Sequence, residues 1–508
     1  MVCGASDVEV QAILRADGSV DASSTGNSTP DAAWPPRTRA SSLKVALGGA
    51  LAACALIATA FVVASRVVVS SSSADVESVI HLSAVKSNED IAPLMLNVVY
   101  NGQSPSNFFI GFAADVSIPG SGKGSQHMLV DTGSSAVAFC DKSLANGLKP
   151  ATCPKTTTDS MIVAPPHTTF TPPCSGAPLL SGNSYGTNGQ GEFYWGYVYN
   201  GDLVFDSDGT SERLFKDVSF SVMEKQEHMT CTLGFDGIWG VAFINAGTEA
   251  YIQTNVNSNP EKVLCLASPG STPPGMCDSF QKSDWCTTDP VFTATVVGQA
   301  LQEADVRRFG LYLDVDSPDW ASLVTEPGMM SNKGKAYVGA AALSNSHYKA
   351  NAPQVVPIAG LGDNIWSLSV LEINVKGKKD RTFSAEGENP EIFCGQGNNC
   401  FFDSGTPQFV FPDCVLEAVV EAETGSVDVV ISGENGQPVT LTFPNDLLGQ
   451  MKQKRLVTTN GCTCDPQNFQ LVIGFPAFFF YYVVFNYGQS DGIIGEQEGA
   501  SMTFVKKP

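Results

Sequence analysis

The chain has 508 residues, 43% of them hydrophobic, with 48 glycines and 30 prolines, a composition that excludes a disordered chain and favours turn-linked strands over a helical bundle. That length exceeds what one hydrophobic core usually serves, so two or more lobes are expected. Lysine and arginine number 29 against 51 aspartates and glutamates, and the formal net charge of -22 repels phosphate backbones and anionic headgroups, so nucleic acid is a poor partner.

Residues 1–43 are rich in Ala, Ser, Thr and Asp without apolar periodicity and read as a disordered cytosolic tail. Residues 44–69 form the expected signal anchor, because Val45 to Ser65 is 21 residues without a charge, long enough to cross a bilayer as a helix. Arg37, Arg39 and Lys44 precede the run and only Arg66 follows closely, which places the N-terminus in the cytosol. The expectation is a single-pass type II membrane protein of the secretory or endomembrane system, with the remainder luminal or extracellular, a vacuole- or lysosome-like compartment included. A cleaved signal with Val62 and Ala64 at the cut is the alternative, disfavoured by its long leader. Residues 70–87 read as a linker or short prosegment.

Two of the 14 cysteines, Cys3 and Cys54, lie before or within the apolar run, and the other twelve follow it. An even dozen fits a disulfide framework in an oxidising compartment. Cys462 and Cys464 are too closely spaced for a usual zinc site, and neither a metal nor a cofactor is expected.

From about Ile91, runs of Val, Ile, Phe and Tyr alternate with Gly, Pro, Asn and Asp turns, as in all-β folds. Asn257 to Cys286 is Pro-, Gly- and Ser-rich and reads as an inserted loop. Leu471 to Phe485 is apolar over 15 residues but contains Gly474 and Pro476, so buried strands are expected there and not a second span.

An internal echo organises this region. "LVDTGSSAVAF" (Leu129 to Phe139) and "FFDSGTPQFVF" (Phe401 to Phe411) align without a gap, and each is followed by an apolar-apolar-Gly segment: Ile238-Trp239-Gly240 and Val472-Ile473-Gly474. Matched elements in matched order predict two homologous lobes and pair Asp131 with Asp403. Two carboxylates brought face to face share one proton, so that one acts as base on a water while the other donates to a polarised carbonyl. Gly133 and Gly405 allow tight turns with amide N–H groups near the carboxylates, and Thr132, Ser134, Ser404 and Thr406 supply short hydroxyls to orient them.

These motifs resemble the pepsin-like aspartic proteases, over nearly all of Asn97 to Phe504. "SYGTNGQGEFYWGYVYNGDLVF" is similar to that family's flap hairpin, and "FDGIWGVAF" to its Asp-Gly-Ile-Leu-Gly-Leu segment. "HYKANAPQVVPIAGLGDNIWSLSVLEINV" resembles a stretch early in its second lobe, and "LVIGFPAFFFYYVVFN" the strand and helix near its end. The resemblance implies an all-β, bilobal fold with pseudo-twofold symmetry, lobes spanning 88–305 and 306–508, and an aspartic endopeptidase acting at acidic pH on an extended polypeptide. It implies a monomer with Asp131 and Asp403 catalytic and Tyr185, Gly186 and Thr187 in the substrate-binding flap. Asn188-Gly189 independently signals a hairpin turn there. It also implies pairing of Cys394 with Cys400, and of Cys414 with Cys462 or Cys464.

Two departures stand out. Ala138 occupies the position where the family usually has a tryptophan bonded to the flap tyrosine, with Trp195 as a possible substitute, and no basic prosegment is evident, since 70–100 contains only Lys86. Gly182 to Gly186 matches the G-x-S-x-G elbow of serine hydrolases, although the residues after it are hairpin-like. Gly120 to Ser125 hints at a phosphate loop but fails its spacing, so a hairpin turn is the plain account. The rival of another class is a catalytically inactive pepsin-like binding or inhibitory module.

Overall fold

Short apolar runs separated by turn residues produce strands along most of the described chain. The computed structural model describes residues 93–102, 108–134, 136–151, 162–163, 179–185, 192–207, 211–227, 230–242, 247–252, 291–294, 307–355, 366–384, 400–433, 437–459, 470–490, 497–498 and 500–508. All of them belong to one compact unit. The expected tail, anchor and linker, and the Asn257–Cys286 loop, lie outside the described residues. Among the described residues no helix is long and apolar enough to cross a membrane.

In the first half the strands that frame the site are β1 (Leu94–Asn101), β2 (Phe109–Ser117), β3 (Gln126–Asp131), β4 (Val137–Phe139), β5 (Leu179–Tyr185), β6 (Glu192–Ser207), β7 (Ser211–Glu227) and β8 (Gly237–Gly240). In the second half, β9 (Arg308–Leu313), β10 (Gly328–Val338), β11 (Val370–Lys376), β12 (Cys400–Phe402) and β13 (Phe409–Phe411) precede helix α1 (Asp413–Ala422). β14 (Ser426–Ser432), β15 (Pro438–Pro444), α2 (Asn445–Gln453), β16 (Leu471–Ile473), β17 (Tyr481–Asn486) and β18 (Ser501–Lys506) follow.

A sixteen-stranded sheet includes the consecutive order β18-β17-β9-β10-β1-β2-β3-β8-β4-β7-β6-β5. It joins the two halves through the antiparallel β1–β10 pair. The β2–β3 connection holds Gly120 at φ 81° and Gly122 at φ 70°, left-handed conformations that glycine adopts without a Cβ penalty. The Gly120–Ser125 segment is thus a hairpin turn and not a phosphate loop.

Leu471–Phe485 forms β16, a 3-10 turn over Phe475–Phe479 and the start of β17, all buried. The mostly β structure fits the expected all-β class, with α1 and α2 as helices among the strands. α1 buries Val415, Leu416, Ala418, Val419 and Ala422, a helical spacing that gives one apolar face to the core. The fold is mostly β.

Aromatic side chains fill the space beneath the strands that carry the motifs. Trp239 contacts Phe205 at 4.7 Å and Phe309 at 5.7 Å between ring centres. Phe112 from β2 meets both Phe475 and Phe478 at 4.9 Å, and Phe402 meets Phe478 at 5.4 Å. These tilted and edge-on contacts each add about 0.5–1.5 kcal/mol beyond simple burial. They give both motif loops a rigid backing.

Candidate active site

The two echoed sequences fold into matched three-strand units. β3 runs parallel to β8, aligning Leu129 with Ile238 and Asp131 with Gly240, and β8 pairs antiparallel with β4. β12 runs parallel to β16, aligning Phe401 with Val472 and Phe402 with Ile473, and β16 pairs antiparallel with β13. The apolar-apolar-Gly segments are therefore the strands that slot between each aspartate-bearing strand and its return.

Their glycines are dictated by close approach. A Cβ on Gly240 would stand 2.4 Å from the Ser134 carbonyl oxygen, and one on Gly474 only 2.0 Å from that of Gln408. Real Cβ atoms do not tolerate such distances, so each loop after an aspartate can press onto its strand only where the side chain is a hydrogen. The Val241 N–H donates to the Asp131 carbonyl at 2.7 Å, and the Asp403 N–H donates to the Ile473 carbonyl at 3.0 Å.

Reciprocal hydrogen bonds tie the loops to each other. The Thr132 N–H donates to Ser404 Oγ at 3.0 Å, and the Ser404 N–H donates to Thr132 Oγ1 at 2.8 Å. Ser404 Oγ in turn donates to the Val130 carbonyl at 2.8 Å. Both side chains are fully buried, so these bonds face no competition from water.

This grip brings the carboxyls together. Asp131 is 2% and Asp403 0% exposed, and the two carboxyls are close enough to share a hydrogen bond. Burial first, then the charge of Asp403 and that shared bond, push Asp131 well above the usual carboxylate range. The Gly133 N–H donates to Asp131 Oδ1 at 2.8 Å and partly opposes the shift. At Asp403 the Gly405 N–H donates to Oδ1 at 2.8 Å and the Thr406 hydroxyl to Oδ2 at 2.7 Å. The Ser134 hydroxyl is buried near Asp131, close enough to favour its ionised form but not aligned on a partner. A Cβ on Gly405 would lie 2.4 Å from Asp131 Oδ1, so the Asp131 carboxyl rests against that glycine's backbone.

β5 and β6 form the arms of an antiparallel hairpin in which Tyr185 lies opposite Glu192. Gly186, Thr187 and the Asn188-Gly189 turn lie outside the described residues. Ser184 sits inside a regular strand and not on a strand-to-helix turn, so the serine-hydrolase elbow is excluded. The space beside Ala138 is filled by Tyr194, which clusters with Ala136, Ala138, Met223 and Ile238. Trp195, suggested from sequence as the substitute, instead packs edge-on against Tyr197 at 6.2 Å.

Sequence reasoning missed several supports. Tyr487 OH, from the second half, donates to the Val241 carbonyl at 2.8 Å, bracing the residue whose N–H holds the Asp131 backbone. Cys140 and Cys231 form a disulfide beside the Ala138 cluster, and a dozen cysteines gave no signal for this pair. Cys400 and Cys414 each belong to a disulfide, while Cys394, Cys462 and Cys464, the partners implied by resemblance, lie outside the described residues. Among the described residues no group of His, Cys, Asp and Glu could hold a metal ion.

No protein-family model matches the chain, and no curated protein matches it. Among solved structures it is similar to the aspartic proteinase from Irpex lacteus, at 11% identity over 82% of this chain and 97% of that chain, with a TM-score of 0.40. At that level the likeness has no weight beside the geometry of the two carboxyls.

Proposed function

We propose that this chain is an aspartic endopeptidase with a bilobal, pepsin-like fold, its lobes spanning 88–305 and 306–508. The observation that carries the reading is the buried, facing Asp131/Asp403 pair, held by the reciprocal Thr132–Ser404 bonds.

A water between the carboxyls gives its proton to the unprotonated member as its oxygen attacks the peptide carbonyl. The protonated member donates to the carbonyl oxygen, which becomes a hydroxyl of a tetrahedral intermediate. Collapse breaks the C–N bond as the pair passes its proton to the leaving nitrogen and takes one back from a hydroxyl of the intermediate, so the carboxylic acid forms and the pair again holds one proton. No covalent enzyme intermediate forms. The pair must hold a single proton, so activity belongs on the acidic side of neutrality and falls as that proton is lost.

The β5–β6 hairpin, whose first arm ends at Tyr185, acts as a flap over an extended polypeptide, and the family resemblance assigns Gly186 and Thr187 to the same flap. The disulfide between Cys140 and Cys231 fits an oxidising compartment, and the uncharged run within 44–69 fits a type II anchor that holds a monomeric peptidase on the luminal side. The test is cleavage of an unfolded protein over a range of pH, with and without a statine-type transition-state mimic. Acid-favoured cleavage blocked by the mimic supports the reading, and its absence at every pH overturns it.

A further inference from the structure

The inner end of β3 carries Asp131, and its outer end carries His127. The His127 ring meets Asp115 of β2, Nδ1 to Oδ1, at 2.5 Å. The His127 backbone N–H donates to Asp236 Oδ2 at 2.9 Å, and its carbonyl accepts from the Asp236 N–H at 2.8 Å. Asp236 directly precedes β8, the strand that runs beside β3 up to the Asp131–Gly240 register.

The network continues away from the ring. Asp115 Oδ2 accepts from Asn97 Nδ2 at 2.8 Å, and Asn97 Oδ1 accepts from the Asn332 N–H of β10 at 3.1 Å. It thus reaches from β8 through β3, β2 and β1 to a strand of the second half. Among the described residues the charged groups acting on the imidazole are Asp115 from β2 and Asp236 from the segment entering β8, both acidic. Such a setting favours an imidazolium.

We propose that charged His127 is a positioning residue that clamps the outer end of the β3–β8 pair, so fixing Asp131 at the inner end, and that its deprotonation releases the clamp as pH rises. The hydrogen bond to Asp115 is the main influence raising its pKa, opposed in part by burial and aided by the charges of Asp115 and Asp236. A histidine whose folded pKa lies above its unfolded value contributes stability that is complete below about pH 6.5 and vanishes as pH climbs through the folded value. The clamp is therefore closed on the same side of neutrality on which a one-proton carboxyl pair acts. Its effect on turnover rests on the peptidase reading, whereas its effect on stability does not.

The test compares the full-length protein with His127→Gln and Asp115→Asn, measuring melting temperature and turnover of an unfolded protein substrate at about pH 5.5 and about pH 8, either side of the histidine range. Both variants should melt roughly 2–4 °C below the parent at the acidic pH, with the gap closing at the alkaline one. Their kcat deficit should close in parallel while KM stays constant. A melting gap that is equal at both pH values, or absent, overturns the clamp. Should His127→Gln fail to fold, Asp115→Asn decides alone. A closing melting gap with a pH-independent kcat deficit refutes the positioning of Asp131. If the parent shows no turnover at any pH, the peptidase reading fails, and the melting data by themselves decide whether the clamp exists.

Discussion

Replacing Ser404 by alanine removes one hydroxyl from a fully buried position and strands two backbone groups at once. The Thr132 N–H loses its acceptor at 3.0 Å and the Val130 carbonyl its donor at 2.8 Å. A buried polar group left without a partner costs about 1–3 kcal/mol, so the substitution should destabilise the protein by about 2–4 kcal/mol, allowing for some relaxation. Thr132→Val strands only the Ser404 N–H and should cost about 1–3 kcal/mol. Because the bonds are reciprocal, the double variant should lose less than the sum, with a coupling of about 0.5–3 kcal/mol. Urea unfolding followed by tryptophan fluorescence reads these as shifts of the midpoint at constant slope. Turnover should fall as well, since the same bonds set the spacing of the carboxyls. A loss below about 0.5 kcal/mol, the usual effect of a surface change, together with unaltered turnover, would refute the idea that this grip holds the site together.

Asp131 has a raised pKa in the fold, so it favours the protonated native state and costs increasing stability as pH rises above the ordinary carboxylate range. Asp131→Asn should therefore be more stable than the parent at neutral pH, with the gap narrowing on acidification; thermal melting from acidic to neutral pH checks the sign, and a less stable variant at neutrality contradicts it. Gly474→Ala places a methyl 2.0 Å from the Gln408 carbonyl oxygen, so it should prevent folding or cost more than about 3 kcal/mol, as read by soluble yield and circular dichroism. Serine at both Cys140 and Cys231 opens a link between residues 91 apart in sequence and should lower stability by about 2–5 kcal/mol, measured as a urea midpoint shift.

The two aspartate loops were legible because each is a local pattern. In both, two apolar residues bury the strand, an aspartate ends it, a glycine turns it, and a distant apolar-apolar-Gly segment returns beside it. A gapless echo then pairs the copies. What escaped the sequence is tertiary. Nothing around Tyr487 marks it as the donor to Val241, because that contact exists only once both halves are folded. The substitution of Tyr194 for Trp195 beside Ala138 turns on strand parity, since successive residues of β6 face opposite sides of the sheet. α1 has Val415, Leu416, Val419 and Ala422 at helical spacing, but ten residues between short apolar strands are too brief a window for that period to stand out in sequence. His127 was visible four residues before Asp131, but its carboxylate partners lie 12 and 109 residues away in sequence, which no local pattern reports.

The most direct test of the central claim compares the initial rate of cleavage of an unfolded protein at acidic pH by the parent, Asp131→Asn and Asp403→Asn, each first shown by circular dichroism to be folded. Two carboxyls acting through one shared proton predict cleavage by the parent and its near-abolition in both variants, because an amide can neither take the proton from water nor pass one back. Parent-like rates in either folded variant would contradict the account.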